Sequence, residues 1–477
     1  MVPVENIIHQ IAERFIEQIF EKVSETGINS IGKLAQEVLC VAKATGLEII
    51  HAAIKQADDA LVTAQKARRV DGLRIKERNV SRTLLTELGT LTYERTYFET
   101  TNRERYYLLD HLIGVEGYER LSKELCASLV QEASRKSLQE ATRSLGVAVS
   151  RQTVDNKVLA LKEVVTEAEA QSETPKELHV FADEDHVHMK SGGSAIVPLV
   201  TVTEGIDTSQ RRHKTINAVH FEGYGIGNSE FFEGISSFLG KKYRMEKVET
   251  IYVHADGGRW IQAAEDWLPN VRFVMDGYHL EKRLKKISRL TGAAKYMGAV
   301  RRAIEKDDVK RFTALCAKIR EGLDQDGCEV IDDNKGFILT HWGAAVLRLS
   351  GKVCGSCTEP LVSHVLSERL SRNPLAWSEH GIRQMAMLRV YVKNGGTVSS
   401  GDIRISCKKD QLVTDKKTLR GGFAKYKAYA DEQIDDFLKT KPDWSFFEKH
   451  PFRYGKLDGS SMLLRAWGSC RDPCFSA

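Results

Sequence analysis

Between residues 178 and 276 the apolar residues recur with the period of strands, and the order of those strands restricts the fold more than any other feature of this 477-residue chain. LHVFADEDHVHMK (178–190), IVPLVTVTEG (196–205) and TINAVHFEGY (215–224) are three strands with turn residues between them. A helical pattern follows over 229–241, then TIYVHAD (250–256), a helix over 258–267, VRFVMD (271–276) and a helix from 278. Three strands in succession, then strand–helix–strand–helix, predict a mixed α/β sheet with helices packed on it. Residues 292–350 read as all-helical, and 358–394 as helical again.

The N-terminal side reads differently. Ile7, Ile8, Ile11, Phe15 and Ile19 recur at helical spacing, as do Ile31, Leu34, Val38, Val41 and Ala42 after a capping Ser30. Residues 1–62 are therefore expected to be helical. The basic stretch 63–82 reads as a connector. TLTYERTYFE, a turn at TNRER and YYLL predict a β-hairpin, so that connector and hairpin together fill 63–115. Helical patterns return over 116–133 and 135–145, and SLQEATRSLG, Gly146 and SRQTVDNKVLALK make a helix-turn-helix candidate within 116–166. Ser150 would cap its second helix, placing Arg151, Gln152, Thr153 and Asn156 where a recognition helix meets bases or phosphates. A plain scaffold role is the alternative. EAEAQSETPKE (167–177) reads as a linker. The remaining divisions are expected at 178–291, 292–350, 351–395 and a basic C-terminal region, 396–477.

Composition excludes several classes. With 42% hydrophobic and 28% charged residues, collagen-like and largely disordered chains are ruled out. No apolar run reaches the roughly 18 residues of a membrane span, and MVPVENIIHQIAERF lacks the layout of a secretory signal. Nine scattered cysteines fit a reducing, cytoplasmic compartment better than a disulfide scaffold. The net charge is only +5, but from Leu280 to Arg320 there are 13 Lys and Arg, Lys282, Arg283, Lys285 and Lys286 among them, against four acids. Lys66 to Arg82 holds seven basic residues against Asp71 and Glu77. Either stretch is a solvated helix face or a surface for nucleic acid.

The acids carry the chemistry. Asp183 sits inside an apolar strand, Asp256 ends the fourth strand before Gly257-Gly258, and Asp276 ends the fifth before Gly277. Groups at the carboxyl ends of strands line the ligand crevice of an open α/β sheet. Carboxylates gathered there repel and lose hydration, and a hard divalent cation such as Mg²⁺ or Mn²⁺ relieves both costs. An Asp before Gly is also an ordinary turn or helix cap. Asp183 and Asp185 share a strand face, and spacing alone does not choose between them. Glu359 opens a helical stretch that could dock on the sheet edge. Glu368 is its rival, but its Arg369 and Arg372 neighbours suggest a salt-bridged helix surface. Cys354-x-x-Cys357 and Cys470-x-x-x-Cys474 are either a four-thiolate zinc site or free thiols.

Taken in order, these segments resemble the DDE-type transposases of bacterial insertion sequences, and look closest to the ISLre-type family related to the Mutator-like group. TELGTLTYERTYF with YYLLDHLIGV resembles that family's opening, and SRQTVDNKV its helix-turn-helix. ADEDHVHMK and HADGGRWI resemble the strands of its first and second aspartates, DGYHLEKRL its Asp-x-x-His element, and CTEPLVSHVLSERLSRNPLAWS the block with the final glutamate. The resemblance implies an RNase H-like α/β core interrupted by a helical insertion at 292–350, behind a mainly helical N-terminal region. It implies Asp183, Asp256 and Glu359 as catalytic metal ligands for two Mg²⁺ or Mn²⁺ ions. Asp276, His279 and Asp185 would support them. Double-stranded DNA, as inverted-repeat ends and target, would be held by Arg151, Gln152, Thr153, Lys282, Arg283, Lys285 and Lys286. It further implies a homo-oligomer that pairs two DNA ends in the cytoplasm, on the nucleoid when bound. An RNase H-like nuclease without strand transfer would use the same acids, and a non-catalytic DNA-binding regulator would need none of them.

Overall fold

A computed structural model describes residues 4–26, 30–101, 103–115, 118–209, 214–372, 376–404 and 425–432. The chain divides into two units, one from Met1–Ser122 with the segment beyond Cys407, the other from Lys123–Ser406. The first begins with α1 (Val4–Thr26), α2 (Ile31–Thr63) and the short α3 (Gln65–Val70). A three-stranded antiparallel meander follows, β1 (Arg74–Thr86), β2 (Gly89–Glu99) and β3 (Arg105–Tyr106), and then α4 (Leu108–Leu112). Its core gathers Ile54, Leu61, Leu84, Leu91, Tyr93, Phe98, Leu108 and Leu109.

The expected connector at 63–82 is thus α3 and half a strand. The expected hairpin is present as β2 and β3 about the TNRER turn, with β3 only two residues long, and β1 joins it through a further turn between Thr86 and Gly89. The YYLL segment passes into α4 rather than a long strand. The reason is a charge in an inward position of β1. Arg82 is buried and donates to Asp110 Oδ2 (2.7 Å) and to the Glu119 carbonyl (2.9 Å), while Tyr93 donates to Asp110 Oδ1 (2.9 Å). A buried, paired arginine stands where apolar alternation would have announced a strand.

The second unit opens with α5 (Lys123–Ala133), α6 (Leu138–Ser144) and α7 (Arg151–Leu159), which pack on one another. Ser137 closes a capping box with Glu140, Gly146 turns at φ +66°, and Ser150 caps α7. Contrary to the expected separate domain at 116–166, this trio belongs to the same compact unit as the sheet, and α5 starts only at Lys123. Two buried guanidinium groups account for the union. Arg369 donates to the Ala133 carbonyl (2.8 Å) and Arg389 to that of Ser134 (2.7 Å), satisfying the C-terminal carbonyls of α5.

The sheet is built from β4 (Glu177–His188), β5 (Ser194–Thr203), β8 (Val219–Glu222), β9 (Thr250–Ala255) and β10 (Val271–Met275), with the small pair β6 (Gly205–Asp207) and β7 (Lys214–Ile216) to one side. The third expected strand splits into β7 and β8 at Asn217, whose φ is +49°. Strand order is β10-β9-β4-β5-β8, and β5 alone runs against the other four. On one face Leu178, Val180, Ala182, Ile251, Val253 and Ala255 pack against α8 (Asn228–Lys242) and α9 (Ala264–Trp267) through Phe231, Phe232, Ile235 and Leu239. Odd-numbered residues of β4 face the other way.

Beyond β10 run α10 (Gly277–Ser288) and the four helices α11 (Met297–Glu305), α12 (Val309–Arg320), α13 (Gln325–Thr340) and α14 (Trp342–Leu349). These enclose a core of their own around Val300, Ile304, Phe312, Ile331 and Ile338, to which α10 adds Leu280, Leu284 and Ile287. The chain returns through α15 (Thr358–Val362), a π turn at Ser363–Ser367, α16 (Glu368–Leu370) and α17 (Glu379–Lys393), with α15 docked on β4. Among the described residues no helix is long and apolar enough to cross a membrane.

Phe232 is fully buried and stacks on Trp260 with ring centroids 6.2 Å apart. Phe232→Ala should lower unfolding free energy by about 3–5 kcal/mol, read by denaturant titration of tryptophan fluorescence. A loss under about 1 kcal/mol would be at odds with a packed helix–sheet interface at this residue.

Candidate metal centre

The register of the parallel strands sets the acids in a row. Phe181 of β4 pairs with His254 of β9, and Met275 of β10 pairs with Ala255. Asp183, in the middle of β4, therefore stands level with Asp256 and Asp276, which directly follow β9 and β10. Docking of α15 on β4 brings Glu359 to that edge, and the first turn of α10 brings His279. One ligand atom each of Asp183, His279 and Glu359 lies within 4.8 Å of the other two, with His279 Nε2 3.9 Å from Glu359 Oε1. The Glu359 side chain is 51% exposed, so the cluster is open to a large substrate.

Asp183 feels this crowding. Burial, then the charges of Asp256, Glu359 and Asp276, push its carboxyl up to about 7, against a partial relief from the Glu184 amide at 2.8 Å. Asp256 turns one oxygen to the Gly258 amide (2.9 Å). The intervening Gly257 has φ +98°, and a Cβ there would stand 2.8 Å from His341 Nε2, so the turn admits only glycine. His341 comes from the helical insertion and its Nδ1 meets the Phe337 carbonyl at 3.0 Å. Nothing in the local sequence around His341 signalled that approach.

Asp276 takes the capping role that an Asp-Gly pair also allows. It is 1% exposed and accepts from the Tyr278 and His279 amides (2.9 and 3.3 Å) and from the Ser356 hydroxyl. So buried, it is closed to DNA, and it serves the cluster by aiming His279. Asp185 is also buried. Its Oδ1 accepts from Ser367 (3.0 Å) and Ser371 (2.7 Å), fastening β4 to the π turn and its flank, while Oδ2 has no hydrogen-bond partner among the described residues. Glu368 is engaged elsewhere, with Arg389 (3.0 Å) and His364 (3.4 Å).

A second cluster lies on the same sheet face, toward the strand starts. His179 Nδ1 is 3.1 Å from His254 Nε2 and 3.2 Å from Cys354 Sγ, and Arg348 reaches His254 Nδ1 as well as the Met275 and Cys354 carbonyls (2.8 Å each). Sequence reasoning singled out Cys354 but neither histidine nor Arg348. They are remote in sequence, and only the β4–β9 register joins the two histidines. Cys470 and Cys474 lie outside the described residues.

The basic residues divide on inspection. Arg151 and Gln152 are exposed at the start of α7, beside a shallow groove lined by Gln139, Thr142, Arg143 and Ser150. The Thr153 amide is taken up by the Ser150 cap at 3.1 Å. Lys282, Lys285 and Lys286 are exposed on α10. Arg283 is not a free cation, contrary to expectation. It lies 4.0 Å over the Phe337 ring and donates to Asn334 (3.4 Å), joining α10 to the insertion core. Arg301 with Glu281, and Arg320 with Asp332, are likewise paired. Tyr278, Lys282 and Lys285 of α10 and Arg289 just after it form an exposed stripe at helical spacing from the turn that bears His279.

Residues 25–406 match the family described as uncharacterised protein family UPF0236. Similar proteins come from Caldanaerobacter subterraneus subsp. tengcongensis. One is 32% identical over 403 residues, covering 82% of this chain and 84% of the relative, and bears a name that joins eleven loci of that strain. Another is 30% identical over 445 residues, covering 91% and 93%. A Streptococcus gallolyticus relative is 22% identical over 385 residues, covering 76% and 83%. The chain belongs to the UPF0236 family.

The raised carboxyl of Asp183 has a sign that can be checked. An acid that titrates near 7 when folded, against an ordinary 3.8, favours the fold while protonated, and this contribution is lost as pH rises through 7. Without divalent cations, the melting temperature of Asp183→Asn should gain on that of the parent chain between pH 4 and 8. Parallel curves would mean that Asp183 does not share a crowded site.

Proposed function

We propose that this chain is a DDE-type transposase with an RNase H-like core, which cuts the ends of an insertion sequence and joins them to target DNA. The observation that carries the reading is the convergence of acids from distant segments. Asp183 within β4 stands level with Asp256 at the end of the neighbouring β9, and Glu359 arrives on a helix after an insertion of four helices. Three strands followed by helix–strand–helix–strand, and an insertion before the last acid, agree with that core. A relative named for eleven loci of one strain is what a copied element leaves behind.

The donor set fits a hard divalent cation. Two carboxylates and an imidazole lie within 4.8 Å of one another, Asp256 stands level with Asp183 on the next strand, and burial with the neighbouring negative charges holds Asp183 well above its ordinary range. Asp183, Asp256 and Glu359 are the residues to hold Mg²⁺ or Mn²⁺. Bound there, the metal supplies charge neutralisation for phosphodiester chemistry whose background rate is extremely low. The protein residues prepare the site around it. Asp276 fixes the first turn of α10, and through it His279, which in turn faces Glu359. The Gly257 turn keeps Asp256 at its strand end. The stripe Tyr278, Lys282, Lys285 and Arg289 leads away from the acids and would track a phosphate backbone, with the start of α7 as a second contact. Two ends must be held at once, so the working form is at least a dimer, acting in the cytoplasm on the nucleoid.

Two variants test this reading. Asp183→Asn should abolish Mg²⁺-dependent cleavage and joining of DNA carrying the element's own terminal repeats, while binding to that DNA persists. Cleavage by the parent chain without joining would leave a nuclease, and wild-type-like cleavage by Asp183→Asn would remove the acids from the chemistry. Lys282→Glu with Lys285→Glu should weaken DNA binding and reduce the slope of log affinity against log salt by about 2. An unchanged slope would clear α10 of phosphate contact.

A further inference from the structure

We infer that His179, His254, Cys354 and Cys357 form a structural zinc site that fastens the strand face to the segment preceding Glu359. The site is separate from the acidic cluster and does not rest on the proposed reaction. Its donors are the soft nitrogen and sulfur set of tetrahedral zinc, with the Cys-x-x-Cys spacing common to such sites. The three atoms His179 Nδ1, His254 Nε2 and Cys354 Sγ all lie within 4.8 Å of one another. Cys357 follows three residues on, immediately before α15.

Hydrogen bonding alone serves this arrangement poorly. The His179 Nδ1 nitrogen has one in-plane lone pair, yet both His254 Nε2 and Cys354 Sγ aim at it, from 3.1 and 3.2 Å. Only one of them can donate, and the remaining polar atom is left buried. A cation accepts a lone pair from each. With a metal on Nε2, His254 carries its proton on Nδ1. Arg348 then leaves the ring, stays on the Met275 and Cys354 carbonyls, and faces the thiolates.

The location gives the ion a task. Residues 351–357 have no regular secondary structure, and α15 with Glu359 begins at the next residue. A metal held by two strands and this segment fixes where that helix starts.

The test uses the full chain, purified reduced and without chelators. Elemental analysis should find one zinc per chain. Replacement by Co²⁺ should produce thiolate-to-metal charge-transfer absorption and the visible bands of tetrahedral cobalt. Cys354→Ser with Cys357→Ser should lose both signals. Cys316→Ser, which alters a cysteine in the insertion core, and Asp183→Asn should keep them. Wild-type protein with no stoichiometric metal and no cobalt charge transfer overturns the proposal, as does zinc retained by the double serine variant. Because Asp183→Asn is expected to keep zinc while losing cleavage, failure of one idea leaves the other standing.

Discussion

The parallel pairing of β4 with β9 is the constraint on which the rest depends. With Phe181 opposite His254, Asp183 stands level with Asp256, and His179, four residues earlier on the same face of β4, meets His254. A slip of one residue would turn an entire strand over, sending Asp183 into the apolar layer beneath α8 and Val180 to the polar face. The register is held by that apolar layer, in which Leu178, Val180, Ile251 and Val253 are fully buried. Hydrophobic burial on one side thus determines electrostatics on the other.

The polar face concentrates groups that resist burial. Asp276 escapes the difficulty because two amides and a hydroxyl occupy its oxygens. Asp183 has one amide for the same charge and yields by holding its proton up to about 7. Identical side chains two strands apart thus differ in their hydrogen-bond supply. One shapes a helix start. The other is left crowded by its acidic neighbours.

Much of the core was legible beforehand. Strand periods over 178–276 locate the five main strands closely, because each carries an unbroken apolar face. The arginines around Glu368 suggested a salt-bridged helix surface, and Glu368 is paired, with Arg389 rather than Arg372. Other features were hidden for physical reasons. β1 buries Arg82 where alternation would want an apolar residue. Arg283 looks like any surface cation until Phe337 and Asn334, more than fifty residues on, are seen to receive it. The His179–His254–Cys354 cluster spans 175 residues and exists only through strand pairing and chain return.

α10 belongs to two places at once. Its first turn presents His279 beside Glu359, while Leu280, Leu284 and Ile287 are buried in the core of the four-helix insertion. A helix is stiff over such a length, and Arg283 adds a further tie through Phe337. Any tilt of the insertion is therefore felt at the imidazole, as a lever carries motion from one arm to the other. The insertion is not a passive decoration looped out of the core, but a handle attached to one wall of its most highly charged corner.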